Sequence, residues 1–395
     1  MPNLINDFPF FQHNPDITYL DSAATSQTLG TVIDHQNNFN IHCRANAHRS
    51  GHKMGTWIDQ QYHNAKELVA QWLGISDAAN SVVFNSGTSQ GLHDAVEIIK
   101  QEYSRATIYI GRDSHHSLFL PLRLLAFNNS AFKIKYIDID LSGQLKLDKL
   151  EQDLAEDKNP KILAVSAVSN VLGIVNNLDE LQRLSKQYGC TSILDASQLI
   201  GKRPFNATGF DFVAWSWHKI YGPTGLGCLI ISPRWQRSEP VRPGGGSVTN
   251  VEFDNVVWQT TAGRFESGTQ NLSAISAMPG LVKWLMTNQE EIARHDIAIT
   301  KLVHDHIPIG MFRPVTHSET GLVCLIPTVG AVEDYAYMLD ARNIMVRTGK
   351  LCAEPLVNSI SANRGLIRLS WAAYTRATDI ERTFDTLVQV HEKLR

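Results

Sequence analysis

Lys219 stands in the stretch DFVAWSWHKIYGPTGLG, Asp211 to Gly227, between a run of aromatic and β-branched residues and a turn rich in glycine and proline. Phe212 to Trp217 read as a buried strand end, and Gly222, Pro223, Gly225 and Gly227 force the chain to turn. A lysine held at that junction loses hydration, which favours the neutral amine that can attack a carbonyl or form a Schiff base. Asp195 closes a second apolar run, Ser192-Ile193-Leu194, so its carboxylate is partly desolvated and needs a cation or hydrogen-bond donors. Gln198 lies one turn further on. Between a strand and a helix runs Asn85-Ser86-Gly87-Thr88-Ser89-Gln90-Gly91. Free N–H groups at the helix start and the hydroxyls of Thr88 and Ser89 make an anion site suited to phosphate, although the same residues also cap helices that bind nothing. The turn has neither the Walker lysine nor the spaced glycines of dinucleotide sites, so ATP and NAD are disfavoured. His115, in Asp113-Ser114-His115-His116-Ser117, closes another strand. A half-buried structural histidine is the plainer reading, but a flat imidazole there can stack on an aromatic ligand.

The elements that must position these residues alternate. Strands are read at Ile17 to Leu20, Ser81 to Phe84, Thr107 to Ile110, Lys133 to Ile137, Ile162 to Ser166 and Ser192 to Leu194. Helical spacing falls at Thr56 to Leu73, Leu92 to Ile99, Leu147 to Leu154 and Leu178 to Tyr188, with another helical segment running through Leu125. That alternation implies a largely parallel sheet with both faces covered. Ligands of such sheets bind beyond the carboxyl ends of the strands, where Thr88, His115, Asn170, Asp195 and Lys219 all fall. After Ile231 the pattern weakens, and VRPGGGSVTNV reads as an ordered loop. A long helix from about Ile275 to Val303 leads to a smaller α/β unit, with strands near Leu322 to Ile326, Ile344 to Arg347 and Leu366 to Ser370 and a last helix from about Asp379. The division read from this is an N-terminal segment 1–20, a large domain 21–274 and a small C-terminal domain 275–395.

Composition narrows the field. With 395 residues, 43% of them hydrophobic and 19% charged, and a net charge of −3, the chain reads as an ordinary globular protein with no pull toward nucleic acid. No apolar run approaches the roughly 20 residues that cross a bilayer, and the N-terminus lacks a secretory pattern, which points to the cytoplasm. Its five cysteines lack paired spacing, so neither a disulfide framework nor a zinc ribbon is indicated. His48 and His52 are four apart without a third ligand, and no metal is expected.

A lysine for a Schiff base, an acid for a pyridine nitrogen, a phosphate cup and a flat group over a ring are together what pyridoxal 5'-phosphate needs. Here the chain resembles the fold type I pyridoxal phosphate enzymes of the class V aminotransferase group, most closely the cysteine desulfurases of the SufS and CsdA type. YLDSAATSQ, NAHRSGH, SGTSQ, SHHSLFLP, SNVLG, LDASQ, SWHKIYGPTG, GGGS, FESGT and RTGKLCAEPL occur in the family's order. The resemblance implies a large, mostly parallel domain, a smaller C-terminal domain carrying a thiol loop, and a homodimer. It makes Lys219 the Schiff-base lysine, Asp195 the pyridinium partner, Gln198 a donor to the phenolic oxygen and His115 the stacked ring. Thr88, Ser89, Ser216 and His218 hold the phosphate, with Thr269 reaching the other subunit's site. Asn170, Arg368 and Ala23 belong to the substrate side, Arg368 as a two-pronged anchor for a carboxylate.

Cys352 matches the family's sulfur-accepting thiol. Arg347 and Lys350 bring positive charge near it, and the glycine-containing loop favours exposure, both of which suit a reactive thiolate. The implied reaction converts L-cysteine to L-alanine with a persulfide on Cys352, passed to a SufE-like acceptor protein as in iron–sulfur cluster assembly. A selenocysteine lyase or other carbon–sulfur lyase is the rival within the same fold, followed by a transaminase and by a catalytically silent relative. Leu351 stands where many relatives have histidine, Trp217 for a glycine, Ser89 for a threonine and Thr375 for an asparagine. The changes at Trp217 and Leu351 are expected to reshape access to the cofactor and the thiol.

Overall fold

The computed structural model describes residues 4–48 and 51–395. Among these residues a seven-stranded sheet forms the centre of the larger part. Its strands are β1 (Val82–Asn85), β2 (Ala106–Gly111), β3 (Phe132–Ile137), β4 (Lys161–Ser166), β5 (Cys190–Asp195), β6 (Phe212–Ser216) and β7 (Gly227–Ile231), in the order β1-β7-β6-β5-β4-β2-β3. All neighbours are parallel except β7, which runs against both β1 and β6. Strands β1, β2, β5, β6 and β7 are buried along their whole length, which is why they read as unbroken apolar runs rather than alternating ones.

Helix α1 (Lys53–Leu73) buries Ile58, Tyr62, Ala65, Val69 and Leu73 along one face and ends at Gly74, whose φ of 72° suits glycine. Helices α2 (Thr88–Glu102) and α3 (His116–Asn128) each begin at the carboxyl end of a sheet strand, β1 and β2. A Cβ at Gly227 would lie 2.4 Å from the Cα of Gly87, so β7 passes the start of α2 only because both positions are glycine.

The second core lies around a four-stranded antiparallel sheet of β8 (Phe312–Pro314), β9 (Leu322–Pro327), β10 (Arg347–Gly349) and β11 (Leu366–Ser370), ordered β8-β9-β11-β10. The 35-residue helix α4 (Leu272–His306) serves both cores. Its residues from Leu272 to Ile292 pack with the large sheet, and Ile299 and Val303 with the small one. The N-terminal strand Thr18–Tyr19 pairs with Ile344–Met345, and Leu20 joins the small core, which brings the following turn over the large sheet's ligand end.

The stretch read as a loop after Ile231 contains a hairpin, Val248–Val251 against Val256–Trp258. Most of it faces solvent, so the alternation that betrays a half-buried strand is missing from its sequence. No helix among the described residues is long and apolar enough to cross a membrane.

Candidate active site

A cavity of about 310 Å³ opens at the carboxyl ends of β1, β2, β5 and β6, roofed by β10, β11 and the turn after Leu20. It gathers Ala23, Thr88, Ser89, His115, Asn170, Asp195, Gln198, Ser216, His218, Lys219, Cys352 and Arg368 from widely separated parts of the chain. Thr269 stands apart, in a second cavity of about 380 Å³ with Lys66, Glu266 and Gly268.

Lys219 ends the single 3-10 turn Trp217–Lys219 that follows β6. The turn is fixed by the His218 carbonyl, which accepts from Ser26 N at 2.7 Å and Ser26 Oγ at 3.0 Å. Burial holds the lysine pKa below its ordinary range, a shift that the Asp195 carboxylate opposes and the Arg368 guanidinium reinforces. Asp195 is 6% exposed and accepts from Ser197 N at 3.0 Å through Oδ1. Gln198 donates to the Ala23 carbonyl at 2.8 Å.

The hydroxyls cluster at the start of α2. Thr88 N donates to Ser216 Oγ at 2.8 Å, and Thr88 Oγ1 lies 2.8 Å from both Ser197 Oγ and Ser216 Oγ. Ser89 Oγ pairs with Ser117 Oγ at 2.7 Å. Three hydroxyls gathered at the positive end of a helix suit a phosphate oxygen. His115 caps α3, its Nδ1 accepting from Ser117 N at 3.0 Å, which assigns the proton to Nε2. Burial, reinforced by the charge of Lys219, lowers both His115 and His218 to about 4, so each ring is neutral at physiological pH.

Arg368 is 3% exposed and contributes from β11. Its NH2 lies 3.3 Å from Asp21 Oδ1 and its NH1 donates to the Asn170 carbonyl at 3.3 Å, while Nε has no partner among the described residues. Asp21 also receives Arg347 NH2 at 2.9 Å, so one carboxylate balances two guanidinium groups beside the cavity. Asn170 donates to the Leu351 carbonyl at 2.7 Å and leaves its buried Oδ1 unpaired.

Cys352 owes its display to an unusual backbone. Leu351 and Cys352 both take left-handed conformations, with φ of 56° and 53°, at a typical cost of about 1–2 kcal/mol per residue. Three hydrogen bonds hold them there: the Asn170 contact, His116 N to the Cys352 carbonyl at 2.9 Å, and Ala353 N to the Lys350 carbonyl at 3.0 Å. The twist buries Leu351 in an apolar cluster with Ala23, Val171 and Leu172 and leaves the Cys352 thiol exposed. Lys350 is spent elsewhere, on Asn358 Oδ1 and the Asn363 carbonyl, so Arg347 is the cation of the loop that lines the cavity.

The sequence departures resolve differently from one another. Trp217 is fully buried, stacked on Trp72 at 6.3 Å and edge-on to Trp215 at 5.6 Å, and does not line the cavity. It fills core volume rather than shaping access. Thr375 closes a turn by accepting from Ala372 N at 3.1 Å. Leu351 does line the cavity. His48 pairs with Asp59 and His52 caps α1, and the described residues hold no cluster of three metal-binding side chains. Arg49 and Ser50 of the NAHRSGH motif lie outside the described residues.

Sequence reading missed Ser197 and the role of Asp21. The hydroxyl two residues past a strand-end carboxylate was a usable signal for Ser197. Asp21 carried none, because its arginine partners are 326 and 347 residues away.

Strand-end lysine, acid and hydroxyl cup on this sheet are the marks of a fold type I architecture, and residues 18–383 match the class V aminotransferase family. The chain belongs to that family. It is 29% identical to a probable cysteine desulfurase of Pseudomonas aeruginosa over 98% of both chains. A probable cysteine desulfurase of Xylella fastidiosa is 30% identical, the match covering 98% of this chain and 95% of the relative. The apo structure of a cysteine desulfurase from Thermococcus onnurineus superposes with a TM-score of 0.92 at 27% identity, covering 99% of this chain and 98% of that one.

Proposed function

We propose that the protein is a pyridoxal phosphate-dependent cysteine desulfurase, converting L-cysteine to L-alanine and keeping the sulfur as a persulfide on Cys352. The reading rests on one observation above the rest. A buried lysine and an exposed thiol on a strained loop share a cavity with Arg368 and Asn170, whose Nε and Oδ1 lack partners among the described residues.

The residues present fit the cofactor. Orphaned buried polar atoms call for a polar ligand, and the hydroxyls of Thr88, Ser197 and Ser216 converge where a phosphate would sit. When bound, pyridoxal phosphate supplies a carbonyl for an amine to hold and a ring that takes up the electron pair of the substrate Cα. Lys219, its pKa lowered by burial, would hold the cofactor and move the Cα proton. Asp195 would keep the pyridine nitrogen protonated, Gln198 would donate to the phenolic oxygen, and the neutral His115 ring would pack on the cofactor ring. Thr88, Ser89, Ser197, Ser216 and His218 would bind the phosphate. Thr269 serves the site of a second copy in a homodimer, a role that suits its distance from this chain's own cavity.

Arg368 and Asn170, beside Ala23, orient the substrate carboxylate. The Cys352 thiolate attacks the substrate sulfur, the Cβ–S bond breaks with its electron pair going to the carbon side, and a proton completes alanine. Cysteine and one enzyme thiol thus become alanine and one enzyme persulfide, with no external oxidant or reductant. A SufE-like acceptor protein removes the sulfur, and the reducing cytoplasm suits such an exposed thiol. Cys352→Ala tests the thiol: the variant should keep the visible absorbance of the bound cofactor and lose alanine release from cysteine. Unchanged alanine release would rule the persulfide route out.

A further inference from the structure

Lys202 is a fully buried lysine that the proposed chemistry does not use. Its side chain is 8% exposed, and its single hydrogen bond among the described residues is to Gln198 Oε1 at 3.4 Å. It forms no ion pair there. Asp296, the acid whose charge acts on it most, is satisfied by Thr320, by Gly321 N at 2.9 Å and by Trp371 Nε1 at 2.9 Å. Burying an ammonium for one amide contact is costly, and an apolar side chain of similar length would fill the site at less expense.

The contact has a directional consequence. Gln198 has its carbonyl oxygen engaged by Lys202 and one N–H engaged by the Ala23 carbonyl at 2.8 Å. The second N–H remains for the cavity that Gln198 lines. A flipped amide would set its oxygen against the Ala23 carbonyl and its NH₂ against the ammonium. We propose that Lys202 is a positioning residue, locking the Gln198 amide so that an N–H faces the cofactor's phenolic oxygen and strengthening it as a donor.

Two further observations support this. Lys202 follows Gln198 by four residues in the turn after β5, where Ile200 N bonds to the Ala196 carbonyl, Lys202 N to the Leu199 carbonyl and Gly201 takes a φ of 76°, a fold of the chain that brings the two side-chain ends within 3.4 Å. Gly321, whose φ of 64° itself suits glycine, also lies against the ammonium, since a Cβ there would come within 2.2 Å of Lys202 Nζ. Burial lowers the lysine only to about 8, which keeps the group charged at neutral pH.

The inference rests on the proposed cofactor, and its test separates the two. Apoprotein is titrated with pyridoxal phosphate, following affinity and the position of the visible band, for wild type, Lys202→Met, Gln198→Leu and the double variant. Lys202→Met should weaken binding roughly tenfold and shift the band, with no further effect once Gln198 is leucine. Equal effects of Lys202→Met in both backgrounds, or a fall in melting temperature with affinity and band unchanged, would overturn the positioning role. Should Lys202→Met not fold, Lys202→Gln removes the charge while keeping a polar group in the site, and it should shift the band in wild type but not in Gln198→Leu. The same shift in both backgrounds contradicts the proposal. A wild-type protein that acquires no visible band removes the cofactor reading and this inference together.

Discussion

At the scale of single residues the candidate site is a set of groups whose burial decides their protonation. Lys219 is pushed toward the neutral amine, and His115 and His218 are neutral because charging them would need water that the cavity walls exclude. Arg368 has no partner for Nε among the described residues, so on the proposed reading its loss removes both charge and geometry for a substrate carboxylate. Arg368→Ala should lower kcat/KM for cysteine by roughly a hundredfold, about 3 kcal/mol, chiefly through KM; steady-state kinetics would show it. Strand-end residues such as Lys219 and Asp195 were legible in the sequence because apolar runs point straight at them. Ser197, Asp21 and Lys202 were not, because their meaning depends on partners that only folding brings within reach.

Among the elements, the segment joining β2 to α3 contains a buried acid of its own. Asp113 is fully enclosed, its Oδ2 takes a hydrogen bond from Asn176 at 3.3 Å, and its Oδ1 has no partner among the described residues. Burial raises it from 3.8 to about 6. Its folded pKa therefore lies above the unfolded one, the folded state binds more protons between those values, and stability falls as pH rises through that window and stays low above it. Asp113→Asn should remove the penalty, worth at most about 3 kcal/mol. The variant's melting temperature should rise by a few degrees at about pH 8 and much less at about pH 4. Element boundaries were readable to within a few residues where burial imposed a pattern, as in β4 and β9. The hairpin at Val248–Trp258 escaped because its exposed faces impose none, and Trp217 was misjudged because a strand-end tryptophan can point into core or cavity with the same sequence.

Over the whole molecule, two cores joined by α4 close around one cavity, with the acids and hydroxyls on the large sheet and the arginine and thiol on the small domain. The alternation of strands and helices made this architecture legible. Thr269 lies in a separate cavity, in keeping with the role proposed for it in a homodimer, and the hairpin exposes Val251, Phe253, Val256 and Val257. Sedimentation should show a dimer, and Thr269→Ala should weaken cofactor binding several-fold, the loss of about one hydrogen bond. A fully active monomer would contradict this arrangement.

The chemistry itself turns on where the sulfur goes. Incubating the cofactor-loaded protein with one equivalent of cysteine, then measuring intact mass and sequencing the thiol-loop peptide, tests it most directly. Persulfide formation predicts one added sulfur atom on Cys352, removable by reductant and absent from Cys352→Ala. Alanine formed with no sulfur on Cys352 would contradict it.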